Sequence, residues 1–307
     1  MAEQSATVSS QGSSAVSGVS TPHESSLTRF RRRHAGKVVA YVVLSITAIV
    51  SIFPFLWMVS TSLKGQGQIF AWPPKLIPDP VVWSNYPEVF DTLPFHRFFL
   101  NTAFYTSMVV LGQVVFCSLA GYAFARLQFP GRDLIFVLYL GTLMIPATVT
   151  FVPSFIIMRE FGWYNTIWAM TIPGMFGSAF GTFLMRQFML TIPSELDDAA
   201  IIDGASKLRI FLEVIVPLSR PAMAVLAVFT ITTVWNDFIW PLIMLADQDL
   251  YTLTLGLARF QGGMQSYTFW AGLMAAATMT IAPLVLIFLF AQRFFTEGIS
   301  LTGMGGR

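Results

Sequence analysis

The 307-residue chain has few charged side chains, a single cysteine and three histidines. Asp, Glu, Lys and Arg make up 11% of it, whereas a soluble domain carries about 25%. So few charges cannot cover the surface of a water-soluble protein of this length. The balance of 18 basic and 16 acidic residues is too even for a nucleic-acid-binding protein. Cys117 alone cannot form an intrachain disulfide or a cysteine-based zinc site, and the histidines lie too far apart to form a local metal motif.

The chain also lacks the motifs of an ATPase or an intramembrane enzyme. It has no G-x-x-x-x-G-K-[S/T] phosphate loop, so it cannot hydrolyse ATP by that route. Its apolar segments hold no paired carboxylates, His/Asp constellation or serine–lysine pair. What it has in abundance is apolar side chains, which account for 55% of its residues. These proportions predict a multi-pass membrane protein without a catalytic centre of its own.

Residues 1–34 predict a disordered, serine-rich cytoplasmic tail that ends in a basic flank. The first 28 residues contain nine serines and three threonines, too little apolar surface to offset the entropy of ordering. Arg29 to Arg33 and Lys37 then precede the first apolar run, at 38–60. That run is too long for the apolar region of a signal peptide, so it predicts a membrane helix.

Six apolar runs exceed the roughly 20 residues that a helix needs to cross a bilayer. They cover residues 38–60, 98–125, 134–158, 161–185, 221–246 and 268–292. Unpaired backbone is costly in lipid, so each should be helical, and prolines within several of them predict kinks. Only Arg159 and Glu160 separate the third and fourth runs, which leaves two spans or one re-entrant unit open there. The predicted fold class is therefore an all-α integral membrane protein with six transmembrane helices.

The distribution of basic residues predicts the orientation. With both termini in the cytoplasm, the inner segments hold 13 of the 18 Lys and Arg residues. This arrangement satisfies the positive-inside rule, whereas the inverted one violates it. We therefore expect a multi-pass protein of the cell membrane with both termini in the cytoplasm.

The longest inner segment, between the fourth and fifth runs, predicts two short helices joined by a turn. Ser194 and Asp197 fit a capping box that starts the first helix. Gly204 can take a left-handed conformation and end it. Ser206 can cap a second helix, which Pro217 should stop. A solvated amphipathic connector is the alternative interpretation.

The same segment resembles a family signature. Asp198-Ala199-Ala200, Gly204 and Val214-x-Val216-Pro217 are similar to the EAA signature of ABC importer permeases, with Asp for Glu and Val for Ile and Leu. Segments 181–206 and 235–242 resemble the carbohydrate-importer subfamily. The resemblance covers residues 38–307 and is strongest to the second permease of maltose- and trehalose-type importers. It implies a type I importer transmembrane domain in which 35–97 form the first helix and outer loop, 98–293 the core with a coupling segment at 190–217, and 294–307 a Gly-rich cytoplasmic tail.

The resemblance also implies the partners. They are a second, non-identical permease, two nucleotide-binding ATPase subunits, an extracytoplasmic solute-binding protein and a sugar or oligosaccharide. This chain would bind no cofactor, because ATP and Mg belong to the ATPase. The implied ATPase-docking residues of the coupling segment are Glu195, Asp198, Ala199, Ala200, Asp203, Gly204 and Ala205.

Polar residues in or near the spans are candidates for the translocation path: Asn165, Asn236 and Asp237. Asp237 is the one acidic residue within the apolar runs, and charges at membrane depth usually face a cavity or a partner. A structural link near the outer interface is the alternative for Asp237, and helix–helix hydrogen bonding is the alternative for Asn165. For Trp235 and Trp240 we expect packing or interfacial anchoring. For loop 247–267 we expect either contact with the binding protein or a plain polar hairpin.

A secondary transporter or channel that works without an ATPase is the alternative function. Such a protein should show ionisable relay residues at mid-membrane and inverted repeats. The spans hold only Asp237 and show no clear repeat, and the EAA-like segment would have no role. The importer interpretation accounts for all three observations.

Overall fold

The structure, a computed structural model, describes residues 26–263 and 269–303, and the regular elements in these ranges are helices. The α-helices are α1 (Ser26–Ser62), α2 (Gln66–Ile69), α3 (Asn85–Thr92), α4 (Phe95–Arg126), α5 (Arg132–Gly141), α6 (Ala147–Glu160), α7 (Ile167–Met175), α8 (Ala179–Leu190), α9 (Glu195–Ile202), α10 (Lys207–Ile210), α11 (Val216–Leu218), α12 (Arg220–Trp235), α13 (Ile239–Met244), α14 (Leu253–Gly263) and α15 (Trp270–Gly303). Two 3₁₀ turns and one π-helical turn complete them: Thr142–Met144, Gln248–Leu250 and Phe211–Ile215. The predicted all-α fold class is confirmed.

Four helical segments are long and apolar enough to cross a membrane, or up to six if each of two bent pairs forms one span. The four are Lys37–Ser62, Phe95–Arg126, Ile167–Leu190 and Trp270–Gln292. The bent pairs are Arg132–Met144 with Ala147–Glu160, at 99°, and Lys207–Leu218 with Arg220–Trp235, at 75°. The predicted run 134–158 is therefore not one straight helix. Pro146 lacks an N–H and disfavours helical backbone at the residue before it, which places the bend there.

Several predicted boundaries shift. The fourth span begins at Ile167 rather than 161 and runs to Leu190, because a turn with Gly162 at a φ of +69° precedes it. The helix of the fifth run ends at Trp235 rather than 246. At the chain ends, α1 begins at Ser26, inside the predicted 1–34 tail, and α15 continues to Gly303, inside the predicted 294–307 tail. Residues 1–25 and 304–307 of those tails lie outside the described residues.

The chain divides into two units at Phe55, within α1. In the first unit the described side chains from Val38 to Phe55 are exposed, as expected of a helix whose apolar surface faces lipid. The second unit, Leu56–Arg307, is organised around α4, which packs against α7, α8 and α12. One cluster of buried side chains surrounds the N-terminal half of α4 and includes Phe98 and Trp235. The other surrounds its C-terminal half and includes Tyr122 and Phe211.

Two glycines let α4 approach α7 and α8 closely. A Cβ at Gly121 would lie 2.7 Å from the Cβ of Met185 on α8, and one at Gly112 would overlap the backbone of α7. The span that α7 and α8 form is interrupted at 176–178, where Gly177 has a φ of +103°. Gln113 of α4 bridges this interruption, donating to the Gly174 carbonyl at 2.7 Å and accepting from the Ser178 hydroxyl at 3.0 Å. Irregular backbone at membrane depth requires such protein partners, and Gln113 provides one by hydrogen bonding between helices.

Candidate functional site

The 190–217 segment folds as the predicted helical hairpin, which consists of α9, a turn and α10. Ser194 occupies the N-cap position of α9, but its hydroxyl makes no capping bond. The capping-box prediction is therefore wrong in its contacts, although the helix begins where it was expected. The φ and ψ of Ser194 are −70° and −21°, which is helical rather than the extended backbone of a capping residue. The carboxylate of Asp197 is instead directed at Arg126 of α4.

The turn of the hairpin confirms the roles predicted for Gly204 and Ser206. Gly204 has a φ of +78°. Its N–H donates to the Ile201 carbonyl at 2.9 Å, and the Ala205 N–H donates to the Ala200 carbonyl at 2.9 Å, which together form a Schellman motif. The Ser206 hydroxyl accepts from the Arg209 N–H at 3.3 Å and so caps α10.

Pro217 does not end the second helix, contrary to the prediction. The backbone passes from α10 through the π-helical turn into α11 and bends only at Ser219. A π-helical turn departs from the regular i→i−4 hydrogen-bond ladder. Because that turn directly precedes α11, the missing N–H of Pro217 does not force the break at this position.

Five of the seven predicted docking residues are exposed, and two are half-buried. The exposed ones are Glu195, Asp198, Ala199, Asp203 and Gly204. Ala200 and Ala205 pack against the chain's own cluster around Phe211. Exposed apolar side chains adjoin the acidic ones, above all Ile202 at 85%. A contiguous exposed surface of carboxylates, small residues and aliphatic side chains suits contact with another protein.

A notch of about 270 Å³ opens between the two helices of the hairpin. Its walls include Ala200, Asp203 and Ile210. Arg209 and Glu213 form an exposed ion pair along one edge, with 2.8 Å between Nε and Oε2. The notch is thus a concave feature of the hairpin lined by both charged and apolar side chains.

Asn236 lies on the exposed face of α12, at the end of that helix. Its amide donates to the Thr232 carbonyl at 2.8 Å. Phe229, Thr232 and Thr233 are also exposed, and the spacing i, i+3, i+4, i+7 places all four side chains on one helix face. Sequence reasoning missed the two threonines, although their helical spacing from Asn236 was a usable signal.

Asp237 has different surroundings from its neighbour. It is half-buried beyond the end of α12, where its carboxylate accepts from the Tyr105 hydroxyl at 3.4 Å and from the Trp240 N–H at 3.3 Å. Its carbonyl accepts from the Thr254 hydroxyl at 2.6 Å. Asp237 thus connects the end of α12 with α4, α13 and α14. Trp235 and Trp240 pack as expected, with each indole N–H donating at 3.0 Å to a backbone carbonyl on a neighbouring helix.

Asn165 lies in the turn between α6 and α7, with a φ of +58°. Its side-chain oxygen accepts from the N–H groups of Ala246 and Asp247 at 2.9 and 3.0 Å. Its amide donates to the Asp247 carboxylate at 2.6 Å. Both polar atoms of the side chain therefore hold the loop that follows α13. Residues 264–267 of the predicted outer loop lie outside the described residues.

An all-helical unit with several membrane-length apolar helices and an exposed hairpin defines a multi-pass membrane protein. Residues 113–301 match the family described as "Binding-protein-dependent transport system inner membrane component". The chain belongs to this family and is an inner-membrane permease component.

Relatives of known name agree with this assignment. The chain is 32% identical over 269 residues to the sn-glycerol-3-phosphate transport system permease protein UgpE of Pectobacterium atrosepticum, covering 85% of this chain and 95% of the relative. It is 33% identical over 263 residues to the arabinooligosaccharides transport system permease protein AraQ of Halalkalibacterium halodurans, covering 84% and 93%. The fold matches a chain of a bacterial ABC transporter involved in the import of the acidic polysaccharide alginate, with a TM-score of 0.78, 24% identity and coverage of 86% and 98%.

Proposed function

We propose that this chain is one of two non-identical permease subunits of an ATP-driven, binding-protein-dependent carbohydrate importer. It forms half of the translocation path and couples to a separate ATPase through the 190–217 segment. The observation that carries this proposal is the exposed hairpin with Gly204 at its turn, in a family member without a phosphate loop. The named relatives, permeases for arabinooligosaccharides and glycerol 3-phosphate, share polyhydroxylated solutes.

The hairpin supplies the mechanical contact that a chain without ATP chemistry needs. The distribution of basic residues supports a cytoplasmic location for the hairpin and for both termini. Asp198 would pair with a basic group of the ATPase, the exposed Ala199 would admit close approach, and Gly204 shapes the turn. ATP and Mg would be bound by the ATPase, and the solute would arrive on an extracytoplasmic binding protein.

The exposed face of α12 is the surface whose side chains best suit contact with the solute. The exposed side chains of α4 between Leu100 and Leu119 are apolar except one: Leu100, Phe104, Ser107, Leu111, Val115 and Leu119. The exposed face of α12 carries three polar side chains, Thr232, Thr233 and Asn236, beside the apolar Phe229. Polar side chains on a membrane helix are favoured where they meet a partner or an aqueous cavity. Hydroxyl oxygens that donate to their own helix keep lone pairs for accepting from solute hydroxyls.

Reconstitution tests the overall proposal. The purified chain should hydrolyse no ATP, and uptake of labelled carbohydrate into liposomes should require the second permease, the ATPase and the binding protein together. Affinity purification from native membranes should recover the ATPase with this chain. Solute transport by the chain alone would instead support the secondary transporter or channel and would contradict the importer.

Substitutions on α12 test the path. Thr232→Val and Asn236→Leu should each raise the apparent KM for uptake by about three- to tenfold, the effect of losing one hydrogen bond. Thr278→Val is the matched control, because its hydroxyl donates to its own helix on the half-buried face of α15. Equal effects in all three variants, at equal membrane abundance, would contradict the assignment of the α12 face.

A further inference from the structure

The last two turns of α4 contact both helices of the hairpin. The guanidinium of Arg126 donates to the carbonyls of Met189, at 3.0 Å, and Ile192, at 2.5 Å, where α8 leads into α9. Its Nε lies 3.5 Å from a carboxylate oxygen of Asp197 on α9, and the two side chains are only 11% and 14% exposed. Arg126 therefore contacts both the connection between α8 and α9 and α9 itself.

Tyr122, one turn earlier on α4, contacts the second helix of the hairpin. Its hydroxyl donates to the Lys207 carbonyl at the start of α10, at 3.1 Å. Its ring packs on Phe211, with 5.1 Å between the ring centroids. Arg126 and Tyr122 thus hold the hairpin on both sides of its turn.

The acidic residues of α9 divide into two groups. Asp197 is directed inward at Arg126, whereas Glu195 and Asp198 are exposed. A carboxylate committed to a largely buried ion pair is not free to bind a partner, and removing either member would leave the other charge uncompensated. The inward pair and the outward surface therefore have separate tasks.

Towards its N-terminus, α4 also contacts α8 and α7. Gly121 allows direct backbone contact with α8, and Gln113 bridges the interruption between α7 and α8. Close packing of this kind makes a group of helices move together, since packed interiors transmit displacement with little deformation.

From these contacts we infer that Arg126 and Tyr122 are positioning residues that fix the hairpin to α4, so that the hairpin, α4, α7 and α8 move as one body when the ATPase displaces the hairpin. The inference rests on the proposed importer function. Displacement of the hairpin then passes through α4 to the interruption at 176–178, rather than being absorbed in the short connection between α8 and α9.

The test uses the complete importer in liposomes, with the ATPase, the second permease and the binding protein. Compared at equal membrane abundance, Arg126→Gln should leave ATPase association and basal ATP hydrolysis near parental levels. It should lower uptake, and the stimulation of hydrolysis by loaded binding protein, by about tenfold, within the range of mutations that alter coupling between sites. Arg132→Gln is the matched control, because Arg132 bonds Asp133 and the Leu127 carbonyl rather than the hairpin. Tyr122→Phe, which keeps the ring, should have a smaller effect.

A covalent bridge separates coupling from folding. The double variant Arg126→Cys/Asp197→Cys should take up little solute until a short bifunctional thiol reagent joins the two positions, and the bridge should then restore uptake. The native Cys117 is buried, and the parental importer treated with the same reagent is the control.

Three outcomes would overturn the inference. They are normal uptake in Arg126→Gln, a bridge that blocks uptake instead of restoring it, and loss of the Gln variant from the membrane together with an inactive bridged pair. The last would give Arg126 a folding role alone. Failure of the parental chain to associate with an ATPase or to support uptake would instead refute the proposed function.

Discussion

Replacing Gly204 with alanine tests the hairpin turn most directly. Gly204 has a φ of +78°, and an added Cβ would meet no atom of the described residues within 4 Å, its two chain neighbours aside. The penalty within the chain is therefore conformational: roughly 1–2 kcal/mol for an L-residue in the left-handed region. This corresponds to about a five- to thirtyfold fall in the ratio of formed to unformed turn, since 1.4 kcal/mol is a factor of ten. We expect Gly204→Ala to weaken ATPase association by a factor in this range and Gly204→Val to weaken it further.

Gly162 provides a matched control. Its φ is +69°, and a Cβ there would likewise meet nothing within 4 Å, so Gly162→Ala carries a similar backbone penalty in a turn outside the hairpin. Gly204→Asn is the complementary variant, because asparagine tolerates left-handed backbone better than alanine does. It keeps the turn and adds a side chain, so its ATPase association should lie between those of the parent and Gly204→Ala.

The assay is ATPase pull-down and carbohydrate uptake, compared at equal membrane abundance. Ala199→Arg extends the series, since Ala199 is exposed and an arginine there can reach the partner without disturbing the chain's own core. Ala200→Arg is less informative, because Ala200 packs against that core. Equal association in the Gly204→Ala and Gly162→Ala chains would refute the reasoning, because the turn would then matter only for folding.

Three further predictions follow from other parts of the molecule. Gly121→Leu should lower the free energy of unfolding by about 1–3 kcal/mol, the range for overpacking. Gly141→Leu should not, because there is open space around a Cβ at that position. Equal shifts in melting temperature would contradict close packing of α4 on α8. Burial lowers the pKa of the Lys64 amine, so the folded state binds fewer protons than the unfolded state, and stability should rise with pH up to the ordinary lysine pKa of 10.5. Lys64→Met should abolish that rise. A thermal-shift series with the same pH dependence in both chains would contradict this. A reporter fused after Arg307 should be cytoplasmic and one inserted at Gly263 external, and a shared location would exclude the proposed topology.

The features that the sequence predicted well depend on composition or on adjacent residues. The long apolar runs predicted the uninterrupted membrane-length segments of α1, α4 and α15. The length of an apolar run and the need to pair every backbone polar group suffice to predict such helices. The hairpin turn was predictable for a similar reason. Gly204 and Ser206 act through the backbone of their neighbours, so no distant contact decides their conformation.

Features that depend on distant partners were missed. The capping box at Ser194 has the right residues, but Asp197 turns to Arg126, which lies on α4 and is remote in sequence. Nothing local distinguishes this arginine from an ordinary topology anchor. Pro146 in the sequence indicated a kink, but tertiary packing, which the local sequence does not show, sets its angle of 99°. Local signals place these residues, whereas tertiary packing sets their contacts.

Asn236 and Asp237 show how one helix end separates neighbouring candidates. The apolar run continues past Asn236 and Asp237, so the sequence made both of them equally good candidates for the translocation path. Because α12 ends at Trp235, Asn236 stays on the face of Thr232 and Thr233, while Asp237 leaves that face and bonds Tyr105 and the backbone of α13. A carboxylate engaged by a hydroxyl and an N–H has fewer free lone pairs for a solute than an exposed amide beside two hydroxyl groups. The α12 face is therefore where substitutions should change solute preference, and changes at Asp237 should act first on the packing of α12 against α4.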